Sequence, residues 1–277
     1  MIRLSAFADE IAPELDEQVA MLDTEGIRWV ELRSMWDTNV LDLTDDEIAQ
    51  IKSRFDAEGI GLSAIGSPLG KVPVDVPLED ELRRLDRAIE LAGLFGTPLI
   101  RIFSFYPPAG APETIPSAYR DGVLERLREM AARARASGIT LVHENDTDLY
   151  GDTKERCLDV LQSVDSPALQ QAFDPANFIV SGDVPYPDAY DALHPWVRHV
   201  HVKDARPDRT VVIVGEGVGR WPELLQRLRS DGYAGFFTLE PHLAQAGQYQ
   251  GFSGRDRFRE ASQAFQRVLH ETGWDYA

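Results

Sequence analysis

Four short strings hold the residue types that could do chemistry together: Val142-His143-Glu144-Asn145, Phe173-Asp174-Pro175-Ala176-Asn177, His199-Val200-His201-Val202-Lys203-Asp204 and Thr238-Leu239-Glu240-Pro241-His242. Each sets a carboxylate or an imidazole at the end of an apolar run. Taken singly, an acid in such a place is as readily a helix cap. The recurrence in four successive strings is what points to a site. Carboxylates gathered in one place repel unless a cation sits among them. Oxygen ligands with one imidazole suit a divalent ion, with Mn2+ as the first expectation and Mg2+, Co2+ or Zn2+ as alternatives. Such an ion can hold neighbouring carbonyl and hydroxyl oxygens and polarise the C=O. The adjoining C–H is then acidic enough for a carboxylate to take its proton and leave a metal-bound enediolate.

Short β-rich runs alternate with longer helical patterns, and they predict strands at 3–7, 28–32, 61–65, 99–103, 139–144, 170–174, 198–203 and 235–240. Glycines 26, 59, 96, 138 and 232 each close a helical pattern just before such a run, as a left-handed C-cap does. Their spacing is near 40 residues, the length of one strand, one loop and one helix. Thr44 with Glu47 reads as a capping box opening a helix over 45–58, and Leu85, Ile89, Leu91, Ala92 and Phe95 form an apolar helical stripe. Eight βα units in an unbroken chain predict a single (β/α)8 TIM barrel, with all of 1–277 as one domain. An open doubly wound sheet is the runner-up, but no glycine-rich phosphate loop follows an early strand. Gly215-Glu216-Gly217-Val218-Gly219 comes late and reads as a turn into a helix.

In a barrel the strands' C-terminal ends carry function. Alternation along a strand then requires that an inward Glu144 bring Val142 with it, an inward Glu240 bring Thr238 and Phe236, and an inward His201 bring His199 and Lys203. The proline-rich stretches 67–77 and 106–116 read as long loops on the same face. Trp36, Phe103, Phe105 and Tyr106 follow strands two and four, where aromatic rings could equally anchor the loops or pack on the C–H face of a bound ligand.

Composition narrows the partners. With 46 acidic and 28 basic residues in 277, the net charge of −18 repels phosphate backbones and anionic lipids, so neither nucleic acid nor a membrane is an expected partner. The single cysteine, Cys157, excludes a disulfide framework and an all-cysteine metal site. No apolar run nears the roughly 18 residues of a membrane span, and the opening MIRLSAFADEI lacks a basic region followed by an apolar one. The expected compartment is the cytoplasm.

The four strings resemble the xylose isomerase-like barrels, the superfamily of sugar isomerases and epimerases that also includes endonuclease IV, and the resemblance spans nearly the whole chain. It implies that Glu144, Asp174, His201 and Glu240 are metal ligands and that Glu144 and Glu240 double as the acid/base pair. His-x-His-x-Lys-Asp is the most distinctive string and looks most like the inosose dehydratase and sugar isomerase branches, which implies that Lys203 contacts substrate oxygens. Arg206 is a further candidate for that work, and Asn177, Trp36 and Phe103 complete the expected substrate-binding set. His143, His199 and His242 are read as supporting histidines.

The implied activity is metal-dependent isomerisation or epimerisation of a ketose, keto-polyol or related carbohydrate, with dehydration of a keto-polyol or keto-glycoside as the alternative. In ketose 3-epimerases a glutamate, a histidine and an arginine stand where this chain has Tyr150, Asn177 and Pro207. The nuclease branch uses three zinc ions and further histidines at earlier strand ends. Here those ends read Ala64-Ile65-Gly66-Ser67 and Phe103-Ser104. Related barrels often pair across their mouths, which leaves room for a homodimer or homotetramer.

Overall fold

A computed structural model describes residues 2–108, 110, 116–246 and 251–277. Eight parallel strands close a barrel: β1 (Arg3–Ala6), β2 (Trp29–Leu32), β3 (Gly61–Ile65), β4 (Leu99–Ile102), β5 (Thr140–Glu144), β6 (Leu169–Phe173), β7 (Val197–Val202) and β8 (Phe236–Leu239), with β8 hydrogen-bonded back to β1. Helices cover it outside, among them α1 (Leu15–Thr24), α2 (Asp45–Glu58), α3 (Leu78–Phe95), α4 (Arg120–Ala136), α5 (Lys154–Val164), α6 (Pro175–Ser181), α7 (Tyr190–Leu193), α8 (Trp221–Ser230) and α9 (Arg255–Glu271). No helix among the described residues is long and apolar enough to cross a membrane.

The local signals act as their chemistry requires. Thr44 Oγ1 accepts from the Glu47 N–H while the Glu47 carboxylate accepts from the Thr44 N–H, so the capping box opens α2 as predicted. Gly59 and Gly96 end α2 and α3 at φ of 66° and 73°, a conformation that would strain any side chain with a Cβ. In α3, Leu85, Leu91 and Ala92 are buried, and Ile89 and Phe95 pack at the edge of the core. Strands one, four, six, seven and eight stop one residue short of the predicted ends. At β6 the reason is visible: Asp174 leaves the ladder to cap α6, its Oδ1 accepting from the Asn177 N–H at 3.0 Å. Much of the second long loop, predicted over 106–116, lies outside the described residues.

Inside the barrel the side chains form a polar column above an aromatic floor. The Arg3 guanidinium lies 4.1 Å from the Phe236 ring centroid and 5.2 Å from that of Trp29. Gly61 has no side chain because the Trp29 ring fills the space, a Cβ there falling 2.5 Å from it. Above this floor Ser5 and Ser63 share a hydrogen bond of 2.7 Å, and Thr238 Oγ1 lies 2.8 Å from His199 Nε2. That contact matches the alternation that carries Glu240 and His201 inward together.

Candidate metal centre

At the C-terminal mouth of the barrel, β5, β6, β7 and β8 bring Glu144, Asp174, His201 and Glu240 together. One ligand atom from each lies within 4.8 Å of the others, and all four residues are buried. Their surroundings leave particular atoms free. His201 Nδ1 faces Glu144 Oε1 at 3.2 Å and Glu240 Oε2 at 3.5 Å, yet has no hydrogen-bond partner. Asp174 Oδ2, 2.8 Å from Lys203 Nζ, likewise has no hydrogen bond of sound geometry. Buried polar atoms without partners are uncommon. Here they point into one space lined by three carboxylates and an imidazole, a donor set that fits a divalent cation.

The cation requirement inferred from carboxylate repulsion is weaker than the sequence suggests, because the fold supplies its own positive charge. Arg33 donates from Nη1 to Glu240 Oε1 at 3.1 Å and from Nε to Asp9 Oδ2 at 2.7 Å. Arg101 donates from Nη1 to Glu144 Oε2 at 3.0 Å and from Nη2 to the Gly66 and Ser67 carbonyls. Lys203 donates to Glu240 Oε2 at 3.1 Å. The fit to a metal therefore rests on the convergence of the four residues, the unpartnered His201 Nδ1 and the donor types, not on repulsion alone.

Electrostatics separate the acids. Burial pushes Asp174 up to about 7, against the pull of Lys203 and with a push from Glu240 and Glu144. Burial acts the same way on Glu240, but Lys203, then His242, His201 and Arg33, hold it well below the usual carboxylate range. His201 is held well above the ordinary imidazole value, since Glu144 and Glu31 outweigh its burial. A ligand imidazole gives up that proton when a cation takes its place.

The other predicted residues fall in distinct positions. Lys203 lies in the cluster. Asn177 stands behind it, its Nδ2 donating to Glu144 Oε1 at 3.2 Å and to the Asn145 carbonyl at 2.9 Å, so its amide steadies a carboxylate. Phe103 is fully buried, with the Arg101 and Lys71 cations 4.7 and 4.3 Å from its ring centroid. Trp36 is half-buried against the core, its backbone N–H donating to the Pro13 carbonyl. Arg206 is not brought to the cluster: it is half-exposed, and its guanidinium lies 3.5 Å from Glu216. It follows the first strand of a hairpin between Asp204–Ala205 and Val211–Val212. Among the supporting histidines, His143 points out of the barrel toward Gln171 and Gly151, and its burial lowers it to about 4.

Sequence reasoning passed over Glu31, Arg33 and Arg101, which complete the cluster. The signal was a charged residue within an apolar strand, as in Trp29-Val30-Glu31-Leu32 and Leu99-Ile100-Arg101-Ile102. Asp9 and Glu10 also escaped notice, in a short 3-10 turn after β1. Burial pushes Glu10 up to about 8 despite Arg33, and its Oε2 accepts from the His242 N–H and the Ser253 hydroxyl.

The glycine-rich stretch after β7 also has a specific task. The Asp204 carboxylate accepts from the N–H groups of Ala205, Gly215, Gly217 and Gly219 at 2.9–3.2 Å, which wraps this loop around the residue next to Lys203. A Cβ on Gly217 would fall 2.2 Å from Asp204 Oδ1 and 2.4 Å from the Ala205 carbonyl. Gly217→Ala is therefore expected to destabilise the protein by about 1–3 kcal/mol, the usual cost of forcing atoms into a filled space. Urea unfolding measures it, and an unchanged midpoint would show that this loop is free to rearrange.

The sequence matches the xylose isomerase-like TIM barrel family over residues 19–268. Among solved structures, a D-tagatose 3-epimerase-like protein superposes with a TM-score of 0.79 at 17% identity, covering 98% of both chains. The probable 3-DHS dehydratase AsbF of Bacillus anthracis gives 0.75 at 19% identity, covering 96% of this chain and 99% of its own. A xylose isomerase-like TIM barrel protein of Mycobacterium smegmatis, solved in complex with magnesium, gives 0.71 at 21% identity, with 98% and 97% covered. The match across most of the sequence and the closed barrel agree: this chain belongs to the xylose isomerase-like TIM barrel family.

Proposed function

We propose that this chain is a divalent-metal-dependent enzyme, with residues 1–277 working as one barrel domain, that isomerises or epimerises a small carbohydrate by moving a proton at a carbon beside a carbonyl. The observation that carries the reading is the convergence of Glu144, Asp174, His201 and Glu240 on one buried space, with His201 Nδ1 lacking a hydrogen-bond partner. Those four residues would hold the ion, Mn2+ or Mg2+ suiting the oxygen-rich set best. The bound ion would polarise the substrate's carbonyl and so acidify the neighbouring C–H. Glu144 and Glu240 stand on β5 and just beyond β8, on two sides of that space, which suits one to take the proton and the other to return it. Lys203, in contact with both Asp174 and Glu240, would steady negative charge developing on substrate oxygens. Two carboxylates set against each other across a metal are of no use to a protein that only binds sugar. The magnesium complex and the epimerase-like barrel among the similar structures support this reading as precedents for the fold.

Dehydration is the second reading, and the position of Lys203 favours it. Its ammonium lies 3.1 Å from the proposed base Glu240, close enough to protonate a departing hydroxyl on the same substrate. The probable dehydratase among the similar structures makes it a real alternative. Products separate the two: dehydration of a keto-polyol gives an unsaturated carbonyl compound absorbing in the ultraviolet, and isomerisation does not.

The test is metal removal. Chelator-treated protein, screened against ketoses and keto-polyols, is expected to lose turnover and to regain it with Mn2+ or Mg2+. Full activity in protein shown metal-free by elemental analysis would overturn the reading.

A further inference from the structure

Glu31 is a carboxylate in the middle of β2, fully buried and inside the barrel, and the proposed reaction gives it no task. Ionised groups in such places are costly unless held by specific partners. Its Oε2 lies 2.7 Å from His199 Nε2 and 3.2 Å from His201 Nε2. Its Oε1 faces Arg101 Nε at 3.8 Å. The two imidazole rings stand nearly perpendicular, 5.3 Å apart at 89°, and the Phe7 ring meets His201 edge-on at 5.2 Å. His201 is thus walled on its sides and held at one end by a carboxylate. The opposite end presents Nδ1, unpartnered, to Glu144 and Glu240.

We propose that Glu31, braced by His199, is a positioning residue for the metal centre: it accepts the Nε2–H of His201, fixing the tautomer and the ring so that the Nδ1 lone pair is directed at the ion. The reason is general. An imidazole can carry its proton on either nitrogen, and a carboxylate at one nitrogen draws the proton there, leaving the other free to bind and more basic. His199 Nε2–H adds a second donor to the same oxygen at 2.7 Å, so Glu31 is held from two sides. Arg101 ties the same carboxylate to Glu144, since its Nη1 donates to that ligand at 3.0 Å. The inference rests on the reading of Glu144, Asp174, His201 and Glu240 as metal ligands.

The experiment titrates chelator-treated protein with Mn2+ alone, following free Mn2+ by its electron paramagnetic resonance signal. Glu31→Gln is expected to bind Mn2+ about 10- to 100-fold more weakly than the parent, the usual effect of removing such a partner. Ser5→Ala serves as the control. It breaks the buried Ser5–Ser63 hydrogen bond inside the same barrel, which involves neither Glu31 nor either histidine, and is expected to keep the parent's affinity. Equal affinity in Glu31→Gln and the parent would overturn the inference while leaving the metal reading intact, and so would an equal loss in both variants, which would mark general loosening. A parent that binds no Mn2+ would overturn the metal reading itself, and the inference with it. Should Glu31→Gln fail to fold, long-range 1H–15N spectra of the Mg2+-saturated parent decide. Protonation of His201 on Nε2 supports the proposal, and protonation on Nδ1 overturns it.

Discussion

Glu240→Gln is expected to lower turnover by about 10²- to 10⁴-fold, the range for loss of a positioned general base, in a protein that remains folded. Glu240 is the most connected acid of the cluster: Arg33 and Lys203 donate to its two oxygens at 3.1 Å each, His242 lies at 3.4 Å, His201 at 3.5 Å and Arg101 at 3.8 Å. Lys203, ahead of the other cations, keeps it ionised against its burial, which is the state a proton acceptor needs. Glutamine has the same shape and keeps one oxygen to accept from Arg33 or Lys203, so the packing of β8 and the barrel closure should survive. What it cannot do is take a proton. The measurement is exchange of the substrate's α-proton in D2O, followed by NMR at saturating Mn2+ so that weaker metal binding does not confuse the result. Exchange at the parent rate in a folded variant would remove Glu240 from the proposed mechanism.

The barrel was legible because its signals are local. Gly59 and Gly96 stop helices through their own backbone freedom, and Thr44 with Glu47 starts one within four residues. Eight such units admit few closures, so short-range rules reach the architecture. The four candidate ligands were legible for a related reason: each stands where an apolar strand meets its loop, and strand alternation fixes the side it faces.

Glu31, Arg33 and Arg101 were not legible, because their partners are distant in sequence. Glu31 meets His199 and His201 across 168 and 170 residues, and Arg33 meets Glu240 across 207. A charged residue within a strand is ambiguous until the barrel closes, since the same residue on an edge would face water. Arg206 shows the opposite case. Its nearness in sequence to Lys203 suggested the site, and the structure pairs it with Glu216 at 3.5 Å instead. Phe103 and Trp36 show the limit of composition: an aromatic residue after a strand packs as readily on protein cations or core as on a sugar.

Arg101→Met is expected to cost about 3–5 kcal/mol of stability in metal-free protein, because it strips one of three cations from a buried ion cluster without removing the anions. Arg101 lies within the barrel, its centre 4.9 Å from the Phe7 ring centroid and 4.7 Å from that of Phe103, and methionine can fill much of that slot. The loss is therefore electrostatic more than steric. Glu144 loses its charged donor at 3.0 Å and keeps only the Asn177 amide among its hydrogen bonds, Glu31 loses the charge 3.8 Å away, and the Gly66 and Ser67 carbonyls lose an N–H donor. A divalent ion among Glu144, Asp174, His201 and Glu240 would supply positive charge to the same carboxylates. Mn2+ should thus raise the unfolding midpoint of Arg101→Met by more than it raises that of the parent, since a ligand that binds only the native state stabilises in proportion to its affinity. Urea unfolding with chelator and with Mn2+ gives the four numbers needed. Metal-free Arg101→Met as stable as the parent would show that Arg101 is not what neutralises Glu144. Equal Mn2+ stabilisation of both proteins would show that the ion and the guanidinium do not answer the same charges, and the ligand assignment of Glu144 would fall with it.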